Sequence, residues 1–83
     1  MTFFIRLQSI ADFRKYTALF DHFIFQGYVK GDSFQTDAYD ILTLFSFCPS
    51  NNLQLVLENY NPTDTTAIEE YLRNSGLLAK SDT

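Results

Sequence analysis

The order in which the hydrophobic period changes along this chain constrains its fold more than any other feature. An alternating stretch at residues 3–7 gives way to a three- and four-residue period over 10–23. Two further strand-like runs follow, then a short helix, a second clear alternation and a last helix. Strand, helix, strand, strand, helix, strand, helix fit within 83 residues. An absence goes with this order. The stretch that opens the first helix, Leu7-Gln8-Ser9-Ile10-Ala11-Asp12, holds no histidine, cysteine, lysine or arginine.

Each element has a local reason. Phe3, Ile5 and Leu7 share one face of the first strand, and Phe4 and Arg6 the other. Ser9 offers a capping hydroxyl, and Asp12 falls where the helix dipole favours negative charge. Phe13, Tyr16, Thr17, Phe20 and Phe23 then form an aromatic stripe at helical spacing, with His22 in the last turn. Residues 24–30 read as a strand that Gly27 weakens. Lys30-Gly31-Asp32-Ser33 is a turn, and residues 34–36 return as a short strand. Asp37 is then expected to cap a helix from Ala38 to about Phe47, ending before Pro49.

After a loop at 49–52, Leu53, Leu55 and Leu57 alternate with Gln54, Val56 and Glu58 as the clearest strand, broken by Asn59-Tyr60-Asn61-Pro62. A last helix should begin at Thr65 or Thr66, with Glu69 completing a capping box if Thr66 is the cap. Ile68, Tyr71 and Leu72 are its inward stripe. Gly76 suits the position just past its end, so that Leu77 and Leu78 fold back over it. The ordered core should run from about 3 to 78, with a frayed tail from Ala79 to Thr83. The expectation is a single α+β domain with a four-stranded antiparallel sheet, all three helices on one face and the other face open to solvent or a partner.

Composition narrows the class. With 46% apolar residues, nine Phe and five Tyr, the chain has the material for a core, although a domain this small buries only about 60% of its unfolded surface. Its net charge of −4 repels polyanions. The six cations, Arg6, Arg14, Lys15, Lys30, Arg73 and Lys80, are too scattered to follow a phosphate backbone, so nucleic acid is not the expected partner. Cys48 is the single cysteine, which forbids an internal disulfide; with no cation or histidine beside it, it reads as a small apolar residue closing a helix. No basic leader or membrane-length apolar run stands out, so a cytoplasmic, membrane-free protein is expected.

The segment order, together with Thr36-Asp37-Ala38-Tyr39-Asp40-Ile41-Leu42-Thr43-Leu44-Phe45, resembles the histidine-containing phosphocarrier protein family (HPr) of the sugar phosphotransferase system. The resemblance spans about Phe3 to Leu78 and rests on pattern and length. It implies an open-faced β-sandwich of order βαββαβα and a bacterial source. The spacing from Phe23 to Ala38 agrees with that between the family's first two helices. The family's signature, Gly-Leu-His-x-Arg-Pro, opens its first helix, where the imidazole carries a phosphoryl group. In that register Ser9 replaces the histidine, Ala11 the arginine and Asp12 the proline. A hydroxyl without an adjacent base is a weak nucleophile, and Asp12 repels phosphate, so the resemblance implies a dead site. Asp40 stands where the family has a regulatory serine. It is either a fixed mimic of the phosphorylated state or, on the favoured reading, an acidic residue suited to a helix start.

The family also presents apolar side chains of its second helix to partner proteins, and Ile41 and Phe45 hold those positions. They are either a docking patch or core. The expected function is therefore a non-catalytic protein-binding or regulatory module needing no cofactor. Self-association through this face or the open sheet face is a variant of it. The alternative is a phosphocarrier using His22, the only imidazole, at the helix end that disfavours phosphate. A hydrolase is weaker still: Asp37 with Asp40, and Glu69 with Glu70, read as solvated helix starts. One His and one Cys cannot build a zinc cage, and three isolated glycines make no phosphate loop.

Overall fold

Alternation in the strands decides which side of the sheet is buried. In the computed structural model, which describes residues 1–79, β1 (Thr2–Leu7) buries Phe3, Ile5 and Leu7. The long strand β4 (Ser50–Tyr60) buries Leu53, Leu55 and Leu57, and β2 (Phe25–Lys30) buries Phe25 and Val29. With the short β3 (Gln35–Asp37) they form a four-stranded sheet ordered β1-β4-β2-β3, antiparallel throughout. The helices α1 (Ile10–His22), α2 (Ile41–Ser46) and α3 (Thr65–Asn74) complete the order βαββαβα. Phe13, Tyr16 and Leu19 of α1, Leu44 of α2, and Ile68 and Leu72 of α3 meet the buried strand residues in one core. The fold is the expected α+β open-faced sandwich.

Several boundaries differ from expectation, each for a tertiary reason. β4 extends from Ser50 to Tyr60 because it lies between two partners: Ser50 faces Leu7 of β1, and Asn59 and Tyr60 face Gln26 and Phe25 of β2. Pairing with β1 at one end and with β2 at the other overrides the poor strand preference of asparagine. α2 is shorter than the predicted 38–47, and Asp37 does not cap it. Asp37 ends β3 opposite Tyr28, the Ala38 N–H goes to the Gly27 carbonyl, and the Asp37 carboxylate takes the Tyr39 N–H at 2.8 Å. Asp40 is the cap instead. The Thr66–Glu69 capping box does not form. A 3-10 turn at Pro62–Asp64, capped by the Asn61 side chain, leads into α3, and Glu69 pairs with Arg73 at 2.7 Å. In α1 the fully buried residue of the last turns is Leu19, and Phe20 and Phe23 are only partly covered.

Two tyrosines tie the β3–α2 connection to its neighbours. The Tyr16 hydroxyl, fully buried, donates to the Ala38 carbonyl at 2.6 Å, and Tyr39 donates to the Phe25 carbonyl. Burial holds the Tyr16 phenol far above its usual titration range, with Asp37 and Tyr39 adding to the effect, so it stays a neutral donor.

The chain end is organised as expected up to Leu78 and one residue beyond. Gly76 takes φ of 78° just past α3, and the Leu77 N–H returns to the Leu72 carbonyl at 2.9 Å. Leu77 accepts from the Arg6 N–H, Leu78 bridges Ile5, and the Ala79 N–H donates to Phe4. Ala79 is thus paired rather than frayed. The remainder of the predicted tail, residues 80–83, lies outside the described residues.

Candidate functional site

The start of α1 is closed on itself. Ser9 has extended backbone angles, and its Oγ accepts the Asp12 N–H at 3.2 Å. The Asp12 carboxylate reaches back to accept the Gln8 N–H at 2.9 Å. This reciprocal arrangement satisfies donors that a helix start would otherwise offer to an anion, and it places a fixed negative charge there. Ala11 is exposed and contributes no functional group. His22 lies at the opposite end of α1, exposed, with its ring 5.7 Å from that of Tyr71. The structure therefore brings Ser9, Ala11 and Asp12 together and leaves the only imidazole a helix length away.

Asp40 has a structural task. Its Oδ2 accepts the Thr36 hydroxyl at 2.6 Å, and its Oδ1 accepts the Thr43 N–H at 3.3 Å as the α2 cap. The Thr36 hydrogen bond, followed by those from Thr43, holds its carboxyl below the usual aspartate range. A depressed folded pKa contributes stability that is complete above the unfolded value, about 3.9, and disappears as pH falls through the folded one. Asp40→Ala should therefore melt below wild type at neutral pH. The gap between the two melting temperatures should close as pH drops beneath 4, when the wild-type carboxyl also loses its charge. Thermal melts at stepped pH read this directly, and a gap that stays constant would remove the carboxylate from the account.

The two carboxylate pairs do not form sites. Asp37 and Asp40 each hold a separate set of hydrogen bonds, and Glu69 is engaged with Arg73. Among the described residues there is no group of three His, Cys, Asp or Glu side chains that could hold a metal. No helix of the described residues is long and apolar enough to cross a membrane. Cys48 is half-buried, and desolvation pushes its thiol up, away from the thiolate that a nucleophile requires.

What the region does hold is apolar surface. Ile41 is partly buried against the core, whereas Phe45 is 56% exposed, its ring edge-on to Phe13 at 5.3 Å. The pair that shares a helix face in sequence is thus divided, one side chain leaning in and one out. Leu42, 85% exposed, and Ile10, 64% exposed, carry more open surface than Ile41, and sequence reasoning passed over both. Ile10 lies one turn from Phe13 and would be counted inward by period alone; it is exposed and lines an open hollow with Phe45. Phe47 is partly exposed and stacks on Phe34 at 4.1 Å.

Gln8, Ser9, Ile10, Phe13, Phe45, Cys48 and Pro49 line an open hollow of about 290 Å³ between the start of α1 and the end of α2. None of them is charged. A second hollow, about 410 Å³, lies at the far end of α1 around Ile24, Gln26, Asn59, Tyr60 and Asn61, and its lining brings no nucleophile with a base. Comparison with protein-family models, with curated proteins and with solved structures finds no match for this chain.

Proposed function

We propose that this chain is a non-catalytic protein-binding module on an HPr-like scaffold, bacterial and cytoplasmic, in which phosphoryl transfer has been lost. The observation that carries the reading is the exposure of Ile10 and Phe45, which line the hollow at the start of α1, together with Leu42 one helical turn from Phe45. Large apolar side chains grouped on the surface of a small protein mark an interaction site. Two further observations support it. The element order is the one that the family resemblance implies, and the first turn of α1, where the family would bring a phosphate, carries the negative charge of Asp12.

The test is capture of proteins from a native bacterial lysate on immobilised wild type and on Phe45→Asp. Phe45 contributes little to the core beyond its edge contact with Phe13, worth roughly 1 kcal/mol, so the variant should keep the wild-type circular dichroism. Captured protein should fall at least tenfold. Equal capture by a folded Phe45→Asp would move binding off this face.

A further inference from the structure

We infer that residues 77–79 are a guard strand for β1: they keep its edge from pairing, antiparallel and two-fold, with β1 of a second copy.

The sheet has two edge strands, β1 and β3, and they differ in what they offer. β3 has three residues, Gln35-Thr36-Asp37, and ends in a carboxylate, so it gives another chain little to pair with. β1 has six, Thr2-Phe3-Phe4-Ile5-Arg6-Leu7, with no glycine, no proline and one charge, Arg6. A short aromatic and β-branched run of low charge pairs readily with copies of itself. Such an edge needs cover.

Cover comes from the segment that follows α3. The Arg6 N–H donates to the Leu77 carbonyl and the Ala79 N–H to the Phe4 carbonyl, both at 2.8 Å. Leu78 stands between them, opposite Ile5 in an antiparallel bridge. Since β4 is the sheet neighbour of β1, these bonds use the main-chain groups on its outer side. The approach to the guard is tied as well. Arg6 Nε donates to the Gly76 carbonyl at 3.2 Å and Lys15 Nζ to the Ser75 carbonyl at 3.1 Å, two cations at the negative end of α3. Leu77, fully buried, anchors the segment in the core.

The groups that the guard holds are those a further strand would use, and β1 itself suits that place. In a two-fold antiparallel pair centred on Phe4, Phe4 faces Phe4 and Thr2 faces Arg6, so no like charges stand opposite each other. The Phe4 side chain is 48% exposed, which leaves its ring open to its counterpart.

The experiment uses the pure full chain. Ala79→Pro deletes the N–H that reaches Phe4 and leaves Leu77 in the core; Leu77→Ala removes the anchor instead. Sedimentation equilibrium from about 1 µM to about 1 mM, a range that brackets weak dimers, should show wild type as monomer throughout. Both variants, folded by circular dichroism, should dimerise reversibly and at least tenfold more tightly than wild type. Adding Phe4→Lys to Ala79→Pro should restore the monomer, because two lysines then face each other across the two-fold axis. Adding Phe45→Asp to Ala79→Pro should leave the dimer intact, which separates this edge from the apolar surface at Phe45. Ala79→Pro that stays monomeric to 1 mM, or wild type that dimerises as tightly as the variants, overturns the inference. So does a dimer that survives Phe4→Lys, or one that Phe45→Asp abolishes.

Discussion

Gly27→Ala is expected to destabilise this domain by about 3 kcal/mol, the upper range for forcing an extra group into packed structure. For a chain of this size that corresponds to a melting temperature lower by roughly 12–24 °C. The sign is what makes the experiment informative. Considered by strand preference alone, alanine should be better than glycine by about 0.5–1 kcal/mol. The contact geometry reverses this. The register between β2 and β4 shifts between Gln26 and Gly27, and this irregularity carries Gly27 onto the β4 backbone. A methyl group there would lie 2.0 Å from the Val56 carbonyl oxygen and 3.0 Å from the Leu57 Cα. Both are main-chain atoms of the central strand, held by pairing on either side, so neither can swing away. The Gly27 carbonyl also receives the Ala38 N–H, so a shift of β2 would disturb the turn into α2. Thermal melts decide the matter: a variant as stable as wild type, or more so, would show that the two strands separate at little cost.

Gly27 also illustrates where legibility ended. From sequence it only weakened a strand, because the atom it accommodates is contributed by a residue almost thirty positions later. Features set by near neighbours were readable: the alternation of Phe3, Ile5 and Leu7, the Ser9 cap, and the glycine turn at Gly76. The start of α2 was not. Asp37 and Asp40 are equally suited to a helix cap, and the choice is made by β3 pairing with β2 through Tyr28. Strand order was beyond reach for the same reason, since β1 pairs with β4 across most of the chain.

The candidate site was legible in part. The closed helix start follows from Ser9 and Asp12 alone, and a serine followed three residues on by a carboxylate is a local signal. From sequence the candidate patch was Ile41 and Phe45, either docking surface or core; Ile41 leans into the core, Phe45 is exposed, and Leu42 and Ile10 are more open than either. Helical period says which residues share a face, and it does not say where the sheet beneath that face ends. A first-turn residue such as Ile10 is in phase with the buried stripe and still lies outside.

The second large effect is expected near the chain terminus, where substitutions are usually tolerated. Leu77→Ala should destabilise the protein by about 3 kcal/mol, as an internal leucine of the sheet would. Leu77 is fully buried in the same cluster as Ile5, Leu55 and Leu72, although it follows the last helix. Its position is fixed by the backbone on both sides. Gly76 turns the chain, the Leu77 N–H is held by Leu72, and the Leu77 carbonyl takes the Arg6 N–H at 2.8 Å. With Leu78 opposite Ile5 and the Ala79 N–H on Phe4, the segment covers the outer edge of β1, which would otherwise offer unpaired groups to another chain. Leu78, only partly covered, should respond less to the same truncation, by about 1 kcal/mol. Urea denaturation of the two variants gives the comparison, and hydrogen exchange at the Arg6 amide gives a local check on it. If Leu77 anchors the segment, that amide exchanges only with global unfolding in wild type and noticeably faster in Leu77→Ala. Equal midpoints for Leu77→Ala and Leu78→Ala, with rapid exchange at Arg6 in wild type, would mean that the terminal segment detaches freely and that β1 is an open edge.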